Sequence, residues 1–127
     1  METVEQTHRY TLPGPIAALG VLITTADGLG RWFADHAAQD GPWLTFLFED
    51  DEPRARVLVQ TERRLRFQWE AQEDFVDLRL SEAPAGALLE VTASTRADEL
   101  EEARIMWDTS IQLLAEAHRS ASRQRQP

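Results

Sequence analysis

Arg64-Leu65-Arg66-Phe67-Gln68-Trp69 alternates without exception, with charged or amide side chains at 64, 66 and 68 and large apolar ones at 65, 67 and 69. A period of two marks a strand with one face in water and the other buried. The same period extends in both directions. Upstream, Leu44, Phe46 and Phe48 alternate with Trp43, Thr45 and Leu47, and the acidic turn Glu49-Asp50-Asp51-Glu52-Pro53 leads into Ala55, Val57, Val59 and Thr61. Downstream, a turn over residues 71–73 gives a strand over 75–80, with Val76, Leu78 and Leu80 inward and Asp77 and Arg79 on the polar side. Glu82-Ala83-Pro84-Ala85-Gly86 is the strongest turn signal in the chain, and residues 88–94 form the next strand. A sixth strand is expected over residues 4–11. Strands joined by turns this short must run antiparallel, and one buried face requires a cover.

The sequence supplies helices on both sides of this run. Pro13-Gly14-Pro15 ends the first strand, and Pro15 suits the first turn of a short helix through Ile16, Leu19 and Leu22. Thr24 or Thr25 can cap a second short helix, in which Leu29, Trp32 and Phe33 recur at a spacing of three to four. After the strands, Asp98 with Glu101 reads as the start of a long amphipathic helix whose stripe is Leu100, Ala103, Trp107, Ile111 and Leu114. The expectation is an α+β fold: an antiparallel sheet of about six strands, two short helices, and one long C-terminal helix packed over the buried face. One domain should span residues 1–119, with residues 120–127 a disordered tail.

Composition excludes several classes of function. A chain of 127 residues with 43% hydrophobic content can bury a single core unaided, and the absence of cysteine removes disulfides, thiolate catalysis and zinc–thiolate sites. The N-terminus METVEQTHRY is polar where a signal peptide would be apolar, and no apolar run spans a bilayer. A cytoplasmic location is expected. The net charge of −9 argues against nucleic-acid and anionic-membrane partners. All 13 cations are arginine, which fits a GC-rich genome and, with the excess acid, equally fits adaptation to high salt.

Three groups of residues carry a family resemblance: Gly28-Leu29-x-x-Trp32-Phe33-Ala34-Asp35, Phe67-x-Trp69, and Glu102-Ala103-x-x-x-Trp107-Asp108. In these and in element order the chain resembles the START-like (SRPBCC) superfamily. Within it, the chain is most similar to small bacterial START-like domains of unestablished function, with kinship to the heat-shock-ATPase-activator branch. The resemblance implies a helix-grip fold, in which the long helix crosses the concave face of a curved sheet and encloses a cavity. In various members that cavity binds apolar ligands, or is filled and the domain serves a partner.

The leading expectation is therefore non-enzymatic binding of a small hydrophobic or amphipathic ligand between sheet and helix. Its candidate lining is Trp32, Phe33, Phe46, Phe67, Trp69, Met106, Trp107 and Ile111, with Trp69 and Trp107 expected to face each other. The alternative is a protein-interaction or chaperone-regulating module, or a homodimer, with a filled interior and an exposed sheet face. A cyclase- or aromatase-like enzyme ranks third, since the assigned inward positions are almost entirely apolar.

Neither catalytic residues nor a cofactor is expected. Asp35 and His36 are adjacent and so point apart, and no His-x-x-x-His or Glu-x-x-His spacing occurs. His8 and His118 stand near the two ends of the chain. The tip 49–52 lacks the glycine and distal glutamate of a calcium loop. Arg64 and Arg66 share a strand face suited to clamping an anion, yet cross-strand pairing with acids explains them equally.

Overall fold

The computed structural model describes residues 3–124, and side chains for residues 3–120. Seven antiparallel strands form one sheet in the order β1-β7-β6-β5-β4-β3-β2. They are β1 Thr3–Leu12, β2 His36–Asp40, β3 Trp43–Leu47, β4 Arg54–Gln60, β5 Arg64–Trp69, β6 Phe75–Ala83 and β7 Gly86–Arg96. Two short helices, α1 Ile16–Thr24 and α2 Ala26–Leu29, lie between β1 and β2, and α3 Leu100–Gln124 follows β7.

The strand absent from the sequence reading is β2. Its residues His36-Ala37-Ala38-Gln39-Asp40 show no alternation because it is an edge strand paired only with β3, and it buries only Ala37. The turn read from Pro84 holds, since Ala83 pairs with Gly86 and the hairpin closes over two residues.

The apolar sets of β3, β5, β6 and β7 all point to one face. Leu44, Phe46, Leu65, Phe67, Leu78, Leu89 and Val91 are fully buried there beneath Leu19, Ile23 and Leu29 of the short helices and Leu114 of α3. Burying each such side chain contributes roughly 1.5–3 kcal/mol, so this shared face is what orders the strands.

Thr25 caps α2 by accepting a hydrogen bond from the Gly28 N–H (3.0 Å). Gly28 is required by closeness: a side chain there would run into the Val21 carbonyl and Leu22 Cα at the end of α1. Trp32, on the turn that follows, donates its indole N–H to the Leu22 carbonyl (2.8 Å) and so staples α2 back onto α1.

The long helix starts differently from expectation. A single 3-10 turn, Ala97–Glu99, precedes α3, with Arg96 rather than Asp98 in the cap position and no side-chain cap bond. Asp98 instead pairs with Arg96 (3.6 Å), and Glu101 with Arg104 (2.6 Å). At its other end α3 continues to Gln124, past the expected domain boundary at residue 119, and residues 125–127 lie outside the described residues. Among the described residues, no helix is long and apolar enough to cross a membrane.

Candidate functional site

Phe33 is the hub of an aromatic cluster at the β3–β5 side of the inner face. Its ring meets Phe46 (5.2 Å), Trp32 (5.6 Å), Phe48 (5.7 Å) and Phe67 (6.0 Å) edge-on, and stacks with Trp107 of α3 (6.0 Å). Trp69 contacts Phe67 (5.3 Å), Phe46 (5.5 Å) and Phe48 (6.5 Å). The two tryptophans expected to face each other are thus joined through phenylalanines rather than across an open space.

The centre of this cluster is solid. Phe46 and Phe67 retain 0% of their surface, as do Leu44, Leu65, Leu78, Leu89 and Leu114 around them. A void wide enough for a water molecule would leave accessible surface on its walls, so none adjoins these side chains. Trp32, Trp107 and Ile111 are buried as well. Met106 departs from the expected lining: it is 51% exposed, because it stands about 100° around α3 from Trp107, off the Trp107–Ile111–Leu114 stripe. It borders instead a shallow surface groove with Glu102, Ser94 and Asp74.

Phe33, Phe48 and Trp69 are only half buried, and they mark where the cluster reaches the surface. There an open groove of about 730 Å3 lies between the β3–β4 turn and the β5–β6 hairpin. Phe48 and Trp69 form its apolar part, and Asp51, Glu52, Pro53, Arg54 and Glu70 line the rest. Arg54 is held in a two-pronged pair with Glu70 (2.7 and 2.8 Å) and lies over the Trp43 ring (4.1 Å). That hydrogen-bonded pairing holds the Glu70 carboxyl below its usual range. With Arg54 already matched, the remaining acids make the rim anionic.

Asp35 has a local role. Its carboxylate accepts a hydrogen bond from the Glu49 N–H (2.7 Å), and Glu49 has a positive φ of 54° in the tight turn closed by the Phe48–Asp51 bridge. The family stretch around Trp32 therefore sets the turn that carries Phe48. His36 is exposed on β2. Among the described residues no cluster of three or more potential metal ligands occurs.

The inner face is less uniformly apolar than the sequence reading held. On β1, Val4 and Leu12 share their parity with Gln6, His8 and Tyr10, which therefore turn toward α3. The Tyr10 hydroxyl donates to Asp108 (2.8 Å), and burial together with that carboxylate pushes the phenol pKa upward. Burial lowers the pKa of His8 despite the nearby Asp108 charge, and Arg104 adds to the lowering. Gln6 Oε1, His8 Nε2 and His118 Nδ1 are buried with no partner among the described residues. His118, 8% exposed, packs over Gly14, so the two histidines at the ends of the sequence both lie within the fold. The strict period of β1, bounded by Val4 and Leu12, was the signal for this strip.

The opposite sheet face carries an ion network around Asp77, which is 3% exposed. Arg64 (2.9 Å), Arg66 (3.2 Å) and Arg79 (3.6 Å) converge on its carboxylate. Burial opposes the charge, yet the three guanidinium groups outweigh it and hold the carboxyl below its usual range. Arg64 and Arg66 are thereby engaged by a cross-strand acid, and Arg66 also lies over the Phe75 ring (4.1 Å).

A sheet gripped by one long helix, with a signature turn feeding an aromatic cluster between them, defines the class. The chain belongs to the START-like superfamily, whose family model matches residues 2–118. Its fold is similar to that of an AHSA1-like protein from Aeromonas hydrophila (TM-score 0.78, 14% identity, 98% of this chain and 98% of that one). It is also similar to the Aha1 dimer from Colwellia psychrerythraea (TM-score 0.76, 17% identity, 90% and 95%). CalU16 from Micromonospora echinospora shares the fold as well (TM-score 0.66, 24% identity, 91% and 75%). At these identities the likeness is one of fold. No curated protein matches the chain by sequence.

Proposed function

We propose that this START-like domain is a non-enzymatic binder of a small amphipathic ligand, seated at the surface end of the aromatic cluster rather than in a closed cavity. The observation that carries the reading is the groove between the β3–β4 turn and the β5–β6 hairpin, whose half-buried Phe48 and Trp69 are continuous with the buried rings behind them. Its volume of about 730 Å3 falls within the size of small-molecule sites. The apolar part takes the body of the ligand, and Asp51 and Glu52, the rim acids left after Glu70 pairs with Arg54, favour a neutral or cationic head over an anionic one. Phe46 and Phe67 support Phe48 and Trp69 from behind, and Trp107 joins them through Phe33.

The test is titration with Nile red and with submicellar dodecyltrimethylammonium, read by dye fluorescence and tryptophan quenching. Saturable binding that falls at least tenfold in Trp69→Ala, with Trp107→Phe closer to wild type, supports the groove. Absence of saturable binding of either probe, or binding indifferent to Trp69, overturns it.

A further inference from the structure

We propose that β1 is a self-association edge, pairing antiparallel with β1 of a second copy of this chain about a two-fold axis at Thr7, so that the two sheets become one. The inference is independent of the groove, which lies on the far side of the sheet. It rests on how the β1 edge is made and on what that register brings together.

The two margins of the sheet differ. β2 is five residues long, whereas β1 offers ten, Thr3–Leu12, paired on one side with β7 and, among the described residues, with no strand on the other. The β1–β7 register runs through all ten without a shift, so no bulge turns the edge away. The stretch Thr3-Val4-Glu5-Gln6-Thr7-His8-Arg9-Tyr10-Thr11-Leu12 also lacks proline, and its two charged residues, Glu5 and Arg9, are of opposite sign and so do not repel a second copy paired antiparallel. Alternate N–H and C=O groups along it are therefore presented outward with no strand to receive them.

Self-pairing must bring outer-face residues opposite outer-face residues, which restricts it to registers centred on a residue. Centring on Thr7 sets Glu5 of each copy opposite Arg9 of the other, so two complementary charge pairs form across the junction. Centring on Gln6 or His8 sets Glu5 against a threonine instead. Both charged side chains are exposed, and only the Nε of Arg9 is engaged, by Glu90 (3.1 Å), so its terminal nitrogens remain to reach the second copy. On the inner face the same register places Gln6 opposite His8 twice, with directly opposed Cβ atoms roughly 5 Å apart. Gln6 Oε1 and His8 Nε2, which have no partner among the described residues, are already covered by the fold, so the complementarity that selects this register is that of Glu5 and Arg9. One junction thus supplies two complementary charge pairs on the outer face of the sheet.

Sedimentation equilibrium of the wild type should give a species of twice the 14.4 kDa chain mass. Glu5→Arg should raise the dimer dissociation constant at least tenfold, because each junction pair becomes arginine against arginine. The triple variant Glu5→Arg, Arg9→Glu, Glu90→Arg should restore it, since it keeps the in-chain pair and inverts the junction. The chain has no cysteine, so mild oxidation of Thr7→Cys should cross-link two copies through residues that face each other on the axis. Thr11→Cys, which faces Thr3, should not. The cysteine pair decides the matter even if a charge variant folds poorly. A wild type that stays monomeric at millimolar concentration, a dimer indifferent to Glu5→Arg, or cross-linking at residue 11 as readily as at residue 7 overturns the proposal.

Discussion

Beneath Phe33 and the middle of α3, the inner face of the sheet ends in Phe46, Phe67 and Trp69, whereas at its β1 margin the same face carries Gln6, His8 and Tyr10. The two regions share one antiparallel sheet and one covering helix, and differ in what closes them. At the aromatic end, rings fill the space to zero exposure and the stabilisation is area removed from water. At the β1 margin, closure depends on single hydrogen bonds such as Tyr10 to Asp108, and three polar atoms remain unmatched. A helix-grip fold thus need not be uniform along its grip: one end is a core, and the other is a seam.

Truncation should expose the difference most sharply at Phe67. Phe67→Ala removes a ring at 0% exposure and leaves a void among side chains that cannot collapse together, at a cost of about 4 kcal/mol in urea unfolding. A loss under about 1.5 kcal/mol would mean that this end is not close-packed, and the contrast would fail. Gly28→Ala tests the same end through its scaffold. The added methyl meets backbone of α1, which has no rotamer to yield, and a loss of about 2 kcal/mol is expected by the same measurement.

At the seam the effects should be smaller. Tyr10→Phe deletes one donor to Asp108 while Arg104 still reaches that carboxylate (3.4 Å), so about 1 kcal/mol should be lost, less than at Phe67. A loss equal to that of Phe67→Ala would erase the distinction. The least effect is a change of slope with pH. His8 resists protonation when folded, so below its ordinary pKa of 6.5 the unfolded chain binds the extra proton and stability falls with falling pH. His8→Gln should flatten the stability profile just below pH 6.5 relative to wild type at the same protein concentration, with the two curves parallel above it. Profiles parallel throughout would remove His8 from the seam.

Much of the fold was legible because a strand or amphipathic helix writes its period into its own residues. Arg64 to Trp69 and the stripe through Trp107 are cases in point, and Thr25 as a cap for α2 is another. β2 was not legible, since an edge strand that buries only Ala37 has no period to show. The site was read in part. Six of its rings were named, and Met106 was named beside Trp107, although adjacent helical residues stand about 100° apart and Met106 is exposed. Phe48 was read as a strand residue like Phe46. Its position at a groove depends on the turn that Asp35 braces from another part of the chain.

The sequence by itself determined the order of the elements other than β2, the apolar stripe of each and the superfamily to which the chain belongs, because these follow from local periodicity and from residues a few positions apart. Only the tertiary structure decided whether the grip is hollow, which acid receives Arg64 and Arg66, and that β1 presents a polar seam and a bare edge. Those outcomes depend on volumes and partners contributed by segments up to a hundred residues apart, such as Tyr10 and Asp108, whose meeting no local pattern encodes.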